Sequence, residues 1–227
     1  MNESNGKSIR MQLALKRVFD VVVSLFVLLL FSPLMVLIAL AILISMGPPV
    51  LFRQERLGYR GRPFHIYKFR TMTNDTDEQG NLLPDEERLT KLGRLLRSTT
   101  LDELPELINV LKGEMSLIGP RPLLVEYKGL YTPEQWRRHE MPPGMGGPVL
   151  AKGRNALDWD EKFKLDVWYV DNWSLLLDLK ILLKTAWRVV RREGVSARGH
   201  VTMPKFQGSV QKHVEITEED TSDCNDR

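Results

Sequence analysis

Between Asp20 and Arg53 the chain has no charged side chain. Such a run is a membrane signal, and it restricts what the rest of the chain can be. As a straight helix its most apolar part, Val21 to Met46, would extend about 39 Å, against a hydrocarbon core of about 30 Å. Ser32-Pro33 falls near the middle of this run. A proline there removes one backbone hydrogen bond and clashes with the preceding turn, so a break is expected, and each half of about 11 to 13 residues is too short to cross alone. Lys7, Arg10, Lys16 and Arg17 precede the run and Arg53, Arg56, Arg60 and Arg62 follow it. Positive charge on both flanks gives a single span no preferred orientation, whereas a helix-break-helix hairpin that enters and leaves by one face satisfies both. The expectation is therefore a basic approach over 1–20 and a re-entrant membrane helix over 21–49 broken at Ser32 and Pro33, with a kinked single span as the competing arrangement. No small-residue cleavage site follows, which argues against a signal peptide.

The 227 residues suffice for one domain with a proper core beside that membrane element. Net charge is +3, but residues 208–227 hold six acids against Lys212 and Arg227, which leaves +7 on residues 1–207. A basic body points to an anionic partner: a membrane surface, a nucleotide or phosphate, or nucleic acid. Its cations are spread among turns instead of forming a stripe with interleaved aromatics, so no nucleic-acid partner is expected. The lone Cys224 rules out an internal disulfide, and the scattered His65, His139, His200 and His213 lack the spacing of a zinc helix. The acidic segment 208–227 is expected to be disordered.

Beyond the membrane segment, residues 50–207 read as one small, mostly helical α+β domain. Period-two alternation from Val50 to Met72 predicts a β-hairpin turning at Gly58 to Gly61. Thr73 to Pro84 reads as a surface loop and Asp85 to Leu96 as a helix. Asp160 to Val170 and Leu175 to Arg192 read as amphipathic helices. The second of these would place Leu175, Leu179, Leu182, Ala186 and Val189 on one face. Trp168, Trp173 and Trp187 among Lys and Arg suit a helix lying at a bilayer interface, and core packing explains the apolar stripe equally well.

The chemistry is expected at Ser98-Thr99-Thr100-Leu101-Asp102-Glu103-Leu104-Pro105-Glu106-Leu107. Thr100 with Glu103 fits a capping box, and Pro105 belongs in a first helical turn, so the stretch reads as the start of a helix that ends at Gly113. A helix N-terminus is equally a ready anion site, so cap and catalyst remain alternatives on local grounds. In Gly119-Pro120-Arg121-Pro122 two prolines bracket one arginine, which suits either a rigid turn or a guanidinium meant to grip phosphate. The glycine-rich stretch Pro142 to Pro148, followed by Lys152-Gly153-Arg154-Asn155, is either an anion-binding loop or a connector.

Five ordered motifs carry a resemblance over about residues 10–208: Lys16-Arg17-Val18-Phe19-Asp20 with Ser32-Pro33, Tyr67-Lys68-Phe69-Arg70-Thr71-Met72, Leu101-Asp102-Glu103-Leu104-Pro105, Gly119-Pro120-Arg121-Pro122 and Gly153-Arg154-Asn155. Together they resemble the bacterial sugar transferases, the monotopic polyprenyl-phosphate phosphoglycosyl transferases, in their small single-domain form. The resemblance implies an enzyme on the cytoplasmic face of the bacterial inner membrane that uses a UDP-sugar, Mg2+ and undecaprenyl or a related polyprenyl phosphate. It would start glycoconjugate assembly, with downstream glycosyltransferases as partners, and its oligomeric state is not implied. The family's catalytic dyad maps onto Asp102 and Glu103: Asp102 would attack the β-phosphate, release UMP and hold the sugar phosphate covalently until polyprenyl phosphate displaces it. The task of Glu103 is left open. Asp102 is also the expected metal ligand, and Lys68, Arg97, Arg121 and Arg154 are the cations expected to relieve repulsion between carboxylate and phosphate. The ending Gly194-Val195-Ser196, Gly199-His200-Val201-Thr202 and Lys205-Phe206 makes UDP-N,N'-diacetylbacillosamine the first sugar expected, before N-acetylated hexosamines and galactose. One stretch departs from the family. Pro143 to Lys152 lacks its usual threonine, tryptophan and glutamine, and a membrane-anchored binding module of the same fold with altered chemistry is the alternative reading.

Overall fold

The computed structural model describes residues 3–152, 157–191 and 205–208, with the side chains of residues 3–10 and 188–190 left aside. Arg154, the 194–202 motifs and all of the acidic segment except Gly208 lie outside the described residues.

The apolar run forms part of one helix, α1 (Glu3–Met46), with Pro33 inside it. This corrects the expected division at Ser32-Pro33 into two helices, and the reason is local. Pro33 has no N–H to give the Leu29 carbonyl one turn back, and Ser32 Oγ donates to that carbonyl instead, at 2.8 Å. The helix is also not a core helix. Only 11% of its most apolar window is buried, and Val22, Phe26, Leu29, Val36, Leu37 and Ile44 are exposed.

Both halves of α1 nevertheless pack on the same domain. Val23, Val27 and Leu28 lie against the main core, while Ile38 and Ile42 are buried with Phe69 and Leu96. Polar contacts tie down the ends. Lys16 Nζ donates to the Ile118 carbonyl at 2.9 Å and to Asp178 at 2.6 Å, and Asp20 accepts from Ser116 Oγ at 2.7 Å and from the Leu117 N–H at 3.1 Å. At the far end Arg70 donates to the carbonyls of Met46, Gly47 and Pro48.

The hairpin forms as the alternation predicts. β1 (Leu51–Leu57) pairs antiparallel with β2 (Pro63–Phe69), from Leu51 opposite Phe69 to Leu57 opposite Pro63. Phe64 and Ile66 face the main core, and Phe69, on the other face, meets α1. The predicted helix over 85–96 is two: α2 (Asp85–Arg88) and α3 (Lys91–Thr99). Thr90 separates them because its side chain accepts from the Gly93 N–H and so starts a new helix. Gly93 itself is required by packing, since a Cβ there would lie 1.9 Å from the Thr71 carbonyl oxygen.

After α4 (Glu106–Lys112), Gly113 takes a left-handed conformation at φ 83°, ending the helix where expected. Arg17 then donates to the helix-terminal carbonyls of Val110 and Leu111. The glycine-rich stretch is structural: β4 (Gly144–Gly146) pairs parallel with β3 (Ser116–Ile118). A Cβ on Gly119 would sit 2.3 Å from the Pro142 carbonyl oxygen, so this crossing demands glycine. Beyond β3 come α5 (Pro133–Trp136), α6 (Pro148–Lys152) and α7 (Trp159–Asp171).

The last described helix, α8 (Leu175–Arg191), uses a different face from the one expected. Leu177, Ile181 and Leu182 pack on the core, whereas Leu176, Leu179, Leu183 and Trp187 are exposed together on the other side. Asp178 fixes this rotation, buried where it accepts from Lys16, Tyr169 and Trp173.

Candidate active site

The site is built on a short 3-10 turn, Leu101–Glu103, between α3 and α4. Thr100 does not cap it. The residue is left-handed at φ 60°, its backbone N–H closes the end of α3 on Arg97 and Leu96, and no capping bond forms from its side chain. The expected capping box is therefore absent, because Glu103 is committed elsewhere. The reversal at Thr100 turns both acids inward, leaving Asp102 and Glu103 only 8% and 7% exposed.

Glu103 Oε1 accepts from Lys68 Nζ on β2 at 2.6 Å and from Arg121 Nη2 at 2.7 Å. Lys68 Nζ lies in turn 3.0 Å from Oε1 of Glu106, the first residue of α4, which is 1% exposed. Among the described residues no hydrogen bond or ion pair engages the Asp102 carboxylate. Burial, reinforced by the neighbouring Glu103 charge, pushes its carboxyl above the usual range, while Lys68, Arg97 and Arg121 pull it back. Burial raises Glu106 further, to about 7, against the opposing pull of Lys68. Glu103 holds the Arg121 guanidinium still more firmly protonated.

Arg97 reaches the site from α3 and is held by Thr71 Oγ1 at 3.1 Å. The Arg121 loop is fixed from two sides: the Leu57 N–H donates to the Leu123 carbonyl at 2.9 Å, and Arg138 donates to the Arg121 carbonyl at 2.7 Å. Arg138 is itself buried in an ion pair with Asp166 at 2.6 Å. Arg121 also lines a small recess with Met145, Gly147, Val149, Leu150 and Asp166, in which Asp166 Oδ1 has no hydrogen-bond partner among the described residues. The residues of the departing loop therefore border the site.

The structure thus brings together Asp102, Glu103, Lys68, Arg97 and Arg121, all expected from the sequence. Lys68 and Arg121 meet Glu103, a commitment that motif reading did not foresee. Glu106 was missed as well. Its signal was an acid directly after Pro105 in the helix whose first turn the dyad precedes. Among the described residues no group of three or more His, Cys, Asp or Glu side chains could hold a metal ion.

An exposed apolar helix, long and apolar enough to cross a membrane, is thus set beside a buried carboxylate ringed by cations. Residues 11–192 match the bacterial sugar transferase family, and the chain belongs to it. It is 53% identical over 195 residues to the sugar transferase EpsL of Bacillus subtilis (strain 168), covering 86% of this chain and 96% of that protein. It is 41% identical over 180 residues to the UDP-glucose:undecaprenyl-phosphate glucose-1-phosphate transferase of Caulobacter vibrioides, covering 75% of this chain and 67% of that one. An undecaprenyl-phosphate galactose phosphotransferase of Salmonella typhimurium is 39% identical over 197 residues, which span 79% of this chain but 41% of the relative.

Proposed function

We propose that the protein transfers a sugar 1-phosphate from a UDP-sugar to polyprenyl (undecaprenyl) phosphate, giving a polyprenyl-diphospho-sugar and UMP. The observation that carries this reading is the Asp102 carboxylate, buried near Lys68, Arg97 and Arg121 and, among the described residues, without a hydrogen bond or ion pair. The names of the Caulobacter and Salmonella relatives support the substrate class.

In the first step an Asp102 oxygen attacks the β-phosphorus of the UDP-sugar. The bond from that phosphorus to the bridging oxygen breaks, UMP leaves, and an aspartyl phosphosugar remains. A polyprenyl phosphate oxygen then attacks the same phosphorus and Asp102 departs as a carboxylate. Burial favours such a nucleophile, because a poorly solvated carboxylate has less hydration to lose. Lys68 and Arg121 would offset charge on the phosphates, and their bonds to Glu103 preorganise both cations before substrate arrives. Glu103 is thereby read as the residue that positions the cations.

Asp102 would be the protein group that holds Mg2+, as suits an ion bound by one or two carboxylates beside substrate phosphates. Once bound, it would supply charge neutralisation at the phosphates. Arg154 remains a proposed phosphate contact.

The placement follows from α1. Both ends of its apolar run are tied to one domain, at Lys16 and Asp20 on one side and at Arg70 on the other. A span crossing the bilayer would leave only one end within reach of a domain on a single face. This supports a re-entrant, monotopic helix, and the basic residues on both of its flanks support the cytoplasmic face of the inner membrane. The exposed stripe Leu176, Leu179, Leu183 and Trp187 supports α8 lying at the lipid interface.

The test incubates membranes bearing the protein with Mg2+ and UDP-glucose, UDP-galactose, N-acetylated UDP-hexosamines or UDP-N,N'-diacetylbacillosamine, with and without undecaprenyl phosphate. Lipid-dependent UMP release from at least one sugar is expected, and its absence for all of them would refute the reading.

A further inference from the structure

Lys68 sits between two carboxylates, not one. Its Nζ is 2.6 Å from Glu103 Oε1 and 3.0 Å from Glu106 Oε1. Glu103 lies at the substrate side with Asp102 and Arg121, whereas Glu106 is sealed at 1% exposure in the first turn of α4. Burying a carboxylate costs several kcal/mol unless a cation answers it, and a glutamine of the same shape would avoid that cost. A flexible lysine stem loses its freedom when the ammonium is held between two carboxylates, hydrogen-bonded to Glu103 and in ion-pair contact with Glu106, and the ammonium keeps N–H capacity for an incoming acceptor.

We propose that Glu106 is a positioning residue for the transfer site, a buried second anchor that holds the Lys68 ammonium at Glu103 and keeps it aimed where the substrate phosphates arrive. The proposal rests on the transferase reading for its purpose, and on geometry alone for the anchor. The charged groups around Glu106 fit this role. Lys68 faces it from β2, Arg56 acts on it from β1, Glu103 from the 3-10 turn and Arg121 from the loop after β3. Arg56 is half-spent on backbone, reaching the Pro122 carbonyl at 3.4 Å, which leaves Lys68 as the cation in ion-pair contact among the described residues.

The experiment compares the full-length protein with Glu106→Gln, which keeps shape and removes charge, and with Glu106→Asp, which keeps charge and shortens reach. Two readouts are taken: Lys68 modification by acetic anhydride, followed by peptide mass spectrometry with exposed Lys180 as internal reference, and kcat and KM for UMP release. Losing one of the two carboxylates that hold it in place leaves the part-buried ammonium freer to swing toward solvent, so Glu106→Gln should speed Lys68 modification severalfold while exposed Lys180 is unchanged. It should lower kcat/KM about tenfold, the loss usual for outer partners of a reactive group. Glu106→Asp should recover part of both effects. Unchanged Lys68 modification in Glu106→Gln overturns the anchor whatever activity does. Faster modification with unchanged kcat/KM overturns its role in transfer. If the unmodified protein releases no UMP from any sugar, the transferase reading fails, while the labelling still decides the anchor.

Discussion

Glu103 Oε1 carries two cations at once, Lys68 Nζ at 2.6 Å and Arg121 Nη2 at 2.7 Å. Asp102 beside it, by contrast, has no such commitment among the described residues. The dyad is therefore asymmetric before any substrate binds, with one acid spent on organising charge and the other available to react. Glu103→Gln should release both cations and lower kcat/KM for UMP release by about a hundredfold, the scale of a lost group at the reacting centre. Arg121→Lys, which keeps charge but loses the planar fork, should raise KM for the UDP-sugar more than it lowers kcat.

Glu106 gives a pH dependence whose sign can be worked out. Its carboxyl titrates near 7 in the folded chain against an ordinary 4.5. Below about pH 4.5 it is neutral folded and unfolded, and it costs nothing. As pH rises toward 7 the unfolded chain loses the proton first and stability falls, and above 7 the full cost stands, about 3 kcal/mol at 1.36 kcal/mol per unit. Glu106→Gln should therefore raise Tm more at about pH 8 than at about pH 5, as measured by thermal melting in nanodiscs.

Lys16 and Asp178 form a buried pair at 2.6 Å that joins α1 to α8. Lys16→Met leaves a buried carboxylate with only Tyr169 and Trp173 as donors and should cost about 3 kcal/mol. Adding Asp178→Leu should restore much of that loss, since removing both charges is far cheaper than stranding one. Melting of the two variants and their combination measures the coupling.

Topology can be read from cysteines placed at Asn5 and Glu55 in a Cys224→Ser background. Both should resist a membrane-impermeant maleimide in intact spheroplasts and react once the membrane is opened. Labelling of Asn5→Cys but not Glu55→Cys from outside would indicate a crossing helix.

Much of this was legible in the chain because it depends on local physics. Period-two alternation specified the hairpin and its turn, Gly113 the end of α4, and the charge-free run its exposed helix. What escaped depends on tertiary geometry. Thr100 and Glu103 have capping-box spacing, yet Lys68 and Arg121, far away in sequence, outbid the local bond. The glycines from 144 onward read as either an anion loop or a connector, and only the parallel crossing with Gly119 reveals a packing requirement. The face of α8 was misassigned because buried Asp178 fixes its rotation, and hydrophobicity alone ranks an aspartate as exposed. Glu106 looked like an ordinary first-turn acid until its distance to Lys68 could be read.

Transfer through a covalent intermediate depends most directly on the identity of the nucleophile. The protein would be incubated with its UDP-sugar and Mg2+ without polyprenyl phosphate, quenched, and the peptide containing Asp102 analysed by mass spectrometry. The predicted result is a sugar-phosphate adduct on Asp102 that disappears on adding polyprenyl phosphate and never forms in Asp102→Asn. An adduct on another residue, or lipid-dependent UMP release that survives Asp102→Asn at the full rate, would contradict it.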